Sequence, residues 1–179
     1  MNKKPRLILD LRHVNACVIK RKFKFEGSLE GLYFAKKGYF MIKFDLNLTR
    51  GYHYIDIHPE FVRYLGFSWN FNGLQRYFVF TVLPFGLSSA GYIFTKVLRP
   101  LVLHWRAKAY GVIMYLDDGW VCDSKQNCIL MSENMQQDLL QAGFLVNEEK
   151  SIWNPVQKLE WLGFEWNLEV GYISIPIHK

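Results

Sequence analysis

The segment Val112-Ile113-Met114-Tyr115-Leu116-Asp117-Asp118-Gly119-Trp120-Val121-Cys122 sets two acids between two apolar runs. Val112 to Leu116 and Trp120 to Cys122 are apolar runs of strand length, and Asp117-Asp118-Gly119 between them has turn chemistry. The spacing predicts a short hairpin with two adjacent carboxylates at its tip. Carboxylates this close repel and raise each other's pKa unless a cation neutralises them. An isolated Asp-Asp-Gly is also an ordinary exposed turn, so the pair needs a second observation. Asp45 supplies it. It lies near the end of the run Tyr39–Leu46, which alternates Phe40, Ile42 and Phe44 on one face with Met41, Lys43 and Asp45 on the other. If that strand lies beside the hairpin, Asp45 and Asp117 converge at one sheet end. Converging carboxylates can hold two Mg²⁺ ions about 3.5–4 Å apart, the arrangement that phosphoryl transfer uses.

The rest of the chain builds outward from this hairpin. Pro5 to Leu11 reads as a strand, and Ser28 as the cap of a short helix to about Lys37. That helix would carry Leu29, Leu32 and Tyr33 on one face and stop at Gly38. Tyr52–Ile57 and Tyr64–Trp69 read as strands, and Asn72-Gly73 turns the chain back into Tyr77–Val82. Leu83-Pro84-Phe85-Gly86 breaks the pattern. A long helix follows from Ser88 or Ser89, with Ile93, Phe94, Val97, Leu98, Leu101, Val102 and Trp105 as its apolar stripe and Pro100 as a kink site. Ser124 caps a helix to about Ala142 that Gly143 stops, and Glu160–Asn167 and Tyr172–Ile177 read as a last strand pair. This order predicts an α+β fold with a mostly antiparallel sheet and helices on one face.

Composition narrows the classes. Half of the 179 residues are apolar, which excludes a disordered chain. Three cysteines without framework or metal-ligand spacing exclude a disulfide-stapled miniprotein and predict free thiols in a reducing, intracellular setting. No apolar run approaches ~18 residues, so no membrane partner is expected. Residues 1–37 hold ten basic and three acidic residues, a net of +7, while the remainder carries twelve against thirteen, a net of −1. Such a block suits a polyanion, nucleic acid or nucleotide phosphate, although a solvated basic surface would look the same.

Taken together, the segments resemble the palm region of reverse transcriptases, over nearly the whole chain. The resemblance rests on an ordered series. Lys4 to Asn15 (Lys-Pro-Arg-Leu-Ile-Leu-Asp-Leu-Arg-His-Val-Asn) is similar to the fingers strand of retroelement enzymes. Phe44-Asp45-Leu46 with Gly51-Tyr52-His53 is similar to the first catalytic motif. Leu83 to Ala90 (Leu-Pro-Phe-Gly-Leu-Ser-Ser-Ala) is similar to the template- and nucleotide-contacting motif, and Tyr115 to Asp118 to the catalytic hairpin. Ala142-Gly143-Phe144 with Lys150-Ser151 is similar to the fourth motif, and Trp161-Leu162-Gly163-Phe164 to the primer grip. Leu65 to Trp69 and Gly86 to Lys96 resemble most the DIRS-like tyrosine-recombinase retrotransposons.

The resemblance implies an α+β palm with an antiparallel sheet backed by helices, and an RNA-directed DNA polymerase that adds dNTPs to a primer on an RNA or DNA template. It implies Asp45, Asp117 and Asp118 as ligands of two Mg²⁺ ions, or Mn²⁺ in their place, and Lys150 as a general acid towards pyrophosphate. Lys4, Arg6, Tyr52, Phe85 and Gly86 would contact the incoming nucleotide, Tyr52 as the ring that excludes a 2′-hydroxyl. Trp161, Leu162, Gly163 and Phe164 would seat the primer end. Partial fingers would comprise about 1–38 and 53–84, and the palm about 39–52 and 85–179. Thumb and RNase H segments are absent, so the chain reads as a truncated copy whose partners include those other segments of the element's polyprotein. Two departures stand out. Seven positions separate Asp45 from Tyr52 where the family usually has five, and Gly91 replaces the usual proline. They keep open a rival reading, a catalytically inactive nucleic-acid-binding remnant. A palm-like nucleotide cyclase or an RNA-binding sheet has no use for Leu83–Ala90 and Trp161–Phe164.

Overall fold

The structure, a computed structural model, describes residues 9–19, 21–47 and 51–176. The chain divides into two compact units, one of residues 1–23 and 48–97, the other of 24–47 and 98–179.

The second unit is built on a four-stranded antiparallel sheet. Its strands are β1 (Phe40–Asp45), β4 (Val112–Tyr115), β5 (Asp118–Asp123) and β6 (Ile152–Val156), in the order β4-β5-β1-β6. β1 is central and paired on both edges, and both of its faces are covered: Met41, Ile42 and Phe44 are all buried. Helix α5 (Lys125–Gln141) packs on β1, β5 and β6 through buried Cys128, Met131, Met135 and Leu139, a helical spacing that turns one stripe inward. Ser124 caps it as expected, its Oγ accepting from the Asn127 N–H at 3.3 Å, and Gly143 follows at φ +78. Phe44 stacks on Trp153 and meets Trp105 edge-on. Met41, Ile113, Trp120 and Cys122 share a core with Leu159, Trp161, Trp166 and Leu168. Those four belong to or follow a second sheet of β7 (Lys158–Trp161), β8 (Phe164–Asn167) and β9 (Tyr172–Ser174). Three tryptophan rings, Trp120, Trp161 and Trp166, touch one another there.

The first unit holds α1 (Arg12–Cys17), a single 3-10 turn (Tyr52–Tyr54), α3 (Pro59–Val62) and the hairpin β2 (Gly66–Phe71) with β3 (Leu74–Val79). Asn72 and Gly73 sit at φ +50 and +83, the two left-handed positions of a tight hairpin turn. Leu9, Leu11 and Leu65 form its small core, with Phe67, Phe80 and Leu87 against it. The long helix α4 (Ala90–Ala107) gives its first part to this unit and its last part to the other.

Several expectations are corrected. Tyr52–Ile57 is not a strand: Tyr52 packs inward on Phe85 and Phe94, and only Asp56 makes a bridge, with Val82. Residues 5–8 of the expected first strand lie outside the described residues, and Arg12 onward is helical. The Ser28 helix, α2, is one turn, Ser28–Gly31, with Gly27 at its cap and Glu30 accepting the Gly27 N–H at 2.7 Å. Leu29, Leu32 and Tyr33 are exposed, and Gly31 is the residue that packs, a Cβ there meeting Trp166 at 2.9 Å. Val97 leaves the α4 stripe, whose buried members are Phe94, Leu98, Val102 and Trp105. Pro100 lies within that helix. β6 is a strand that the sequence does not announce, because it contains Pro155; it is an edge strand, where a missing N–H costs little. The expected strand over Glu160–Asn167 is instead two strands folded about Leu162-Gly163.

Candidate active site

Three carboxylates meet at one end of the four-stranded sheet. Asp45 is the last residue of β1 and pairs directly with Asp118, the first residue of β5. Tyr115 pairs with Asp118, so the hairpin tip is Leu116-Asp117 and not Asp117 to Gly119. The shift has a purpose in geometry. Asp118 lies in the ladder, facing Asp45, and Asp117 occupies the turn, its carbonyl accepting the Leu46 N–H at 3.0 Å. Leu116 takes φ +57 to make this turn, a left-handed conformation that costs a non-glycine residue of order 1 kcal/mol. Gly119 lets the hairpin close on β1, because a Cβ there would meet Cζ of Phe44 at 2.1 Å.

Asp45 is held on every side. It is 5% exposed. Its N–H donates to Ser151 Oγ at 3.1 Å, Ser151 Oγ donates to the Asn147 carbonyl at 2.8 Å, and the Asn147 N–H donates to the Asp45 carbonyl at 2.8 Å. Oδ1 accepts the Asn47 N–H at 2.8 Å, and Oδ2 accepts from Lys150 Nζ at 3.0 Å. Lys150 thus stands beside the cluster with its side chain mostly exposed. Its hydrogen bond to Asp45, with the charges of Asp45, Asp118 and Asp117, raises its pKa further above the ordinary lysine value. Asp118 moves the other way from comfort: burial, then the charges of Asp117 and Asp45, push its carboxyl up to about 6. Two like charges directly opposite across a ladder are destabilising. Lys150 offsets part of that, and Lys43, whose Nζ donates to the Glu160 carbonyl at 2.8 Å, lowers it slightly.

Among the described residues no group of three His, Cys, Asp or Glu is set to hold a metal ion. The donor chemistry fits a hard divalent cation all the same. The three aspartates at this sheet end offer only oxygen, and Asp118 is raised first by burial and then by the charges of Asp117 and Asp45, so a cation bound beside it would favour its ionised form.

The other expected residues fall as follows. Tyr52 is buried, with Phe85 at 5.0 Å between ring centroids. Gly86 is exposed at φ +100, in the left-handed region that glycine tolerates. Trp161 is buried on Trp120, Leu162 and Gly163 form a tight turn at φ +48 and +80, and Phe164 is partly exposed at the next strand. Lys4 and Arg6 lie outside the described residues. Of the residues added to the insertion after Asp45, Asn47 already leaves the strand at φ +48, and residues 48–50 lie outside the described residues. Sequence reasoning gave no role to Asn147, which closes the loop of bonds around Asp45 from far along the chain, where no local pattern marks it. No described helix is long and apolar enough to cross a membrane.

Residues 1–166 match the family described as Reverse transcriptase (RNA-dependent DNA polymerase). No curated relative matches the chain. Among solved structures, the foamy viral protease-reverse transcriptase in complex with dsDNA is similar over 96% of this chain and 34% of its own, at 22% identity and a TM-score of 0.76. Its dRH form in complex with ds DNA covers 91% of this chain and 27% of its own, at 23% identity and 0.72. The same protein in complex with RNA/DNA hybrid covers 95% and 22%, at 20% identity and 0.70. At these identities the likeness is one of fold, and the chain spans a third or less of the length of two of these proteins and 34% of the other. The α+β architecture and the family match agree: the chain belongs to the reverse transcriptase family, the RNA-dependent DNA polymerases.

Proposed function

We propose that this chain carries the palm and part of the fingers of a retrotransposon reverse transcriptase, near the DIRS-like elements. In this reading it adds dNTPs to a primer 3′ end on an RNA or DNA template by two-metal phosphoryl transfer. The observation that carries it is the ladder pair Asp45–Asp118 with Asp117 at the strained tip beside it. A structural turn has no need of three carboxylates so close, one of them pushed up to about 6.

Each residue has a role in this reading. Asp45 and Asp117 would hold Mg²⁺, or Mn²⁺ in its place, with Asp118 as the neighbouring ligand. A divalent ion bound there would acidify the primer hydroxyl and neutralise the triphosphate. Ser151 and Asn147 fix the backbone of Asp45, so the carboxylate needs little reorganisation when charge develops. Lys150 is charged and within reach of the cluster, which suits proton donation to pyrophosphate. Tyr52 and Phe85 are in contact, which supports one nucleotide subsite formed by both with Gly86. Arg6 and Lys4 would add charge for the triphosphate. Trp161 to Phe164 would seat the primer from a rigid turn on a tryptophan core. The fingers would comprise about 1–38 and 53–84 and the palm about 39–52 and 85–179, while the compact units change over at 23/24, 47/48 and 97/98. An intracellular, reducing setting accords with Cys122 and Cys128, which are free and buried.

Primer extension on an RNA template with Mg²⁺ tests the reading, with dNTPs and rNTPs supplied separately. The expected result is extension with dNTPs alone, and admission of rNTPs by Tyr52→Val. Binding of the primed template without any extension would replace this reading by that of a nucleic-acid-binding remnant.

A further inference from the structure

Within the first unit, the loop Leu83–Ser88 is held by one side chain that comes from 71 residues earlier in the chain. The Asn15 carboxamide uses both of its ends there. Nδ2 donates to the Gly86 carbonyl at 2.8 Å, and Oδ1 accepts the Ser88 N–H at 2.7 Å. The amide therefore behaves like a strand partner, satisfying an acceptor and a donor on either side of Leu87. Its platform is fixed. Asn15 lies on α1, its own N–H donating to the Leu11 carbonyl at 2.7 Å. Leu11 is buried with Leu9 and Leu65, and Val14 and Leu87 pack on that same cluster. On the near side of the clamp, Gly86 holds φ +100 and Phe85 lies against Tyr52. A loop of this kind has few backbone bonds of its own, so a single bidentate clamp can decide its conformation.

We propose that Asn15 is the positioning residue of the nucleotide subsite: it sets the Phe85–Gly86 backbone, and through Phe85 the Tyr52 ring, in the arrangement that receives the incoming dNTP. This rests on the polymerase reading given above. Asparagine is the residue type that the geometry selects. Aspartate can accept from Ser88 but cannot donate to Gly86, and leucine of similar shape does neither.

Two measurements on Asn15→Leu, Asn15→Asp and the unaltered chain test it: amide hydrogen exchange and dNTP titration of primer extension. In Asn15→Leu, exchange at Ser88 should quicken roughly tenfold, as loss of hydrogen bonds of this kind implies, while the β2–β3 amides keep their rates. The KM for dNTP should rise about tenfold and kcat should stay within about threefold, since the clamp acts on binding and not on the reacting atoms. Asn15→Asp should keep the Ser88 amide slow and recover part of the KM. The proposal is overturned by unchanged Ser88 exchange in Asn15→Leu, by faster exchange spread evenly over the whole unit, or by a kcat that falls while KM holds. A wild-type chain that extends no primer sinks the polymerase reading instead, and exchange at Ser88 then decides alone whether Asn15 holds the loop.

Discussion

Asp118 faces Asp45 across the ladder, and its carboxyl, held at about 6 by burial and by Asp117 and Asp45, makes the stability of the fold depend on pH. An acid whose pKa is raised on folding is favoured in its protonated form. Its contribution is present below the unfolded value of 3.8 and is lost as pH rises through about 6. Asp118→Asn should therefore raise the melting temperature at pH 7.5, leave it little changed at pH 4, and flatten the fall between. A steeper fall in the variant would contradict the assignment. Lys150→Met has the opposite sign: it leaves a buried Asp45 carboxylate without its ammonium partner. A loss of about 1–2 kcal/mol in denaturant unfolding at pH 7 is expected, less than for a fully buried pair because Lys150 is mostly exposed. The carboxylates were legible in the sequence because two adjacent aspartates in an apolar setting are expensive. The long-range contacts were not: Lys150 is named by the resemblance, but its bond to Asp45 spans 105 residues and that of Asn15 to Ser88 spans 73, and such meetings depend on sheet register and loop path.

Among the elements, those with local punctuation were the ones that could be read. Asn72-Gly73 gave the β2–β3 turn, Ser124 and Gly143 gave the ends of α5, and alternation gave β1. The misreadings share a physical cause, tertiary packing that overrides local pattern. Tyr52 turns inward onto Phe94, so an aromatic run that looks like a strand becomes a 3-10 turn. β6 exists because β1 offers it an edge to pair with, despite Pro155. The Asp-Asp-Gly turn slid by one residue because Gly119 has to lie under Phe44. This last point is testable. Gly119→Ala forces a Cβ into the Phe44 ring and should cost roughly 1–3 kcal/mol, read as a fall in melting temperature. Adding Phe44→Leu should restore a measurable part of that loss; no rescue would mean that Gly119 is needed for some other reason.

Over the whole molecule, charge is segregated more sharply than the N-terminal block alone suggested. The unit of residues 1–23 and 48–97 holds eleven basic and three acidic residues, a net of +8, and the other holds eleven against thirteen, a net of −2. The basic unit suits a phosphate backbone, and the acidic one carries the carboxylate site. Binding of a primed template should accordingly weaken by on the order of 10²-fold between 50 and 200 mM salt. A salt-independent affinity would argue against backbone contacts. If Asp45 and Asp117 form the reacting centre, the rate of single-dNTP addition to a primer on an RNA template in Mg²⁺ should fall by at least ~10²-fold in Asp117→Asn relative to the wild type, at matched melting temperature and template affinity; equal rates in the two proteins would place the reacting centre elsewhere.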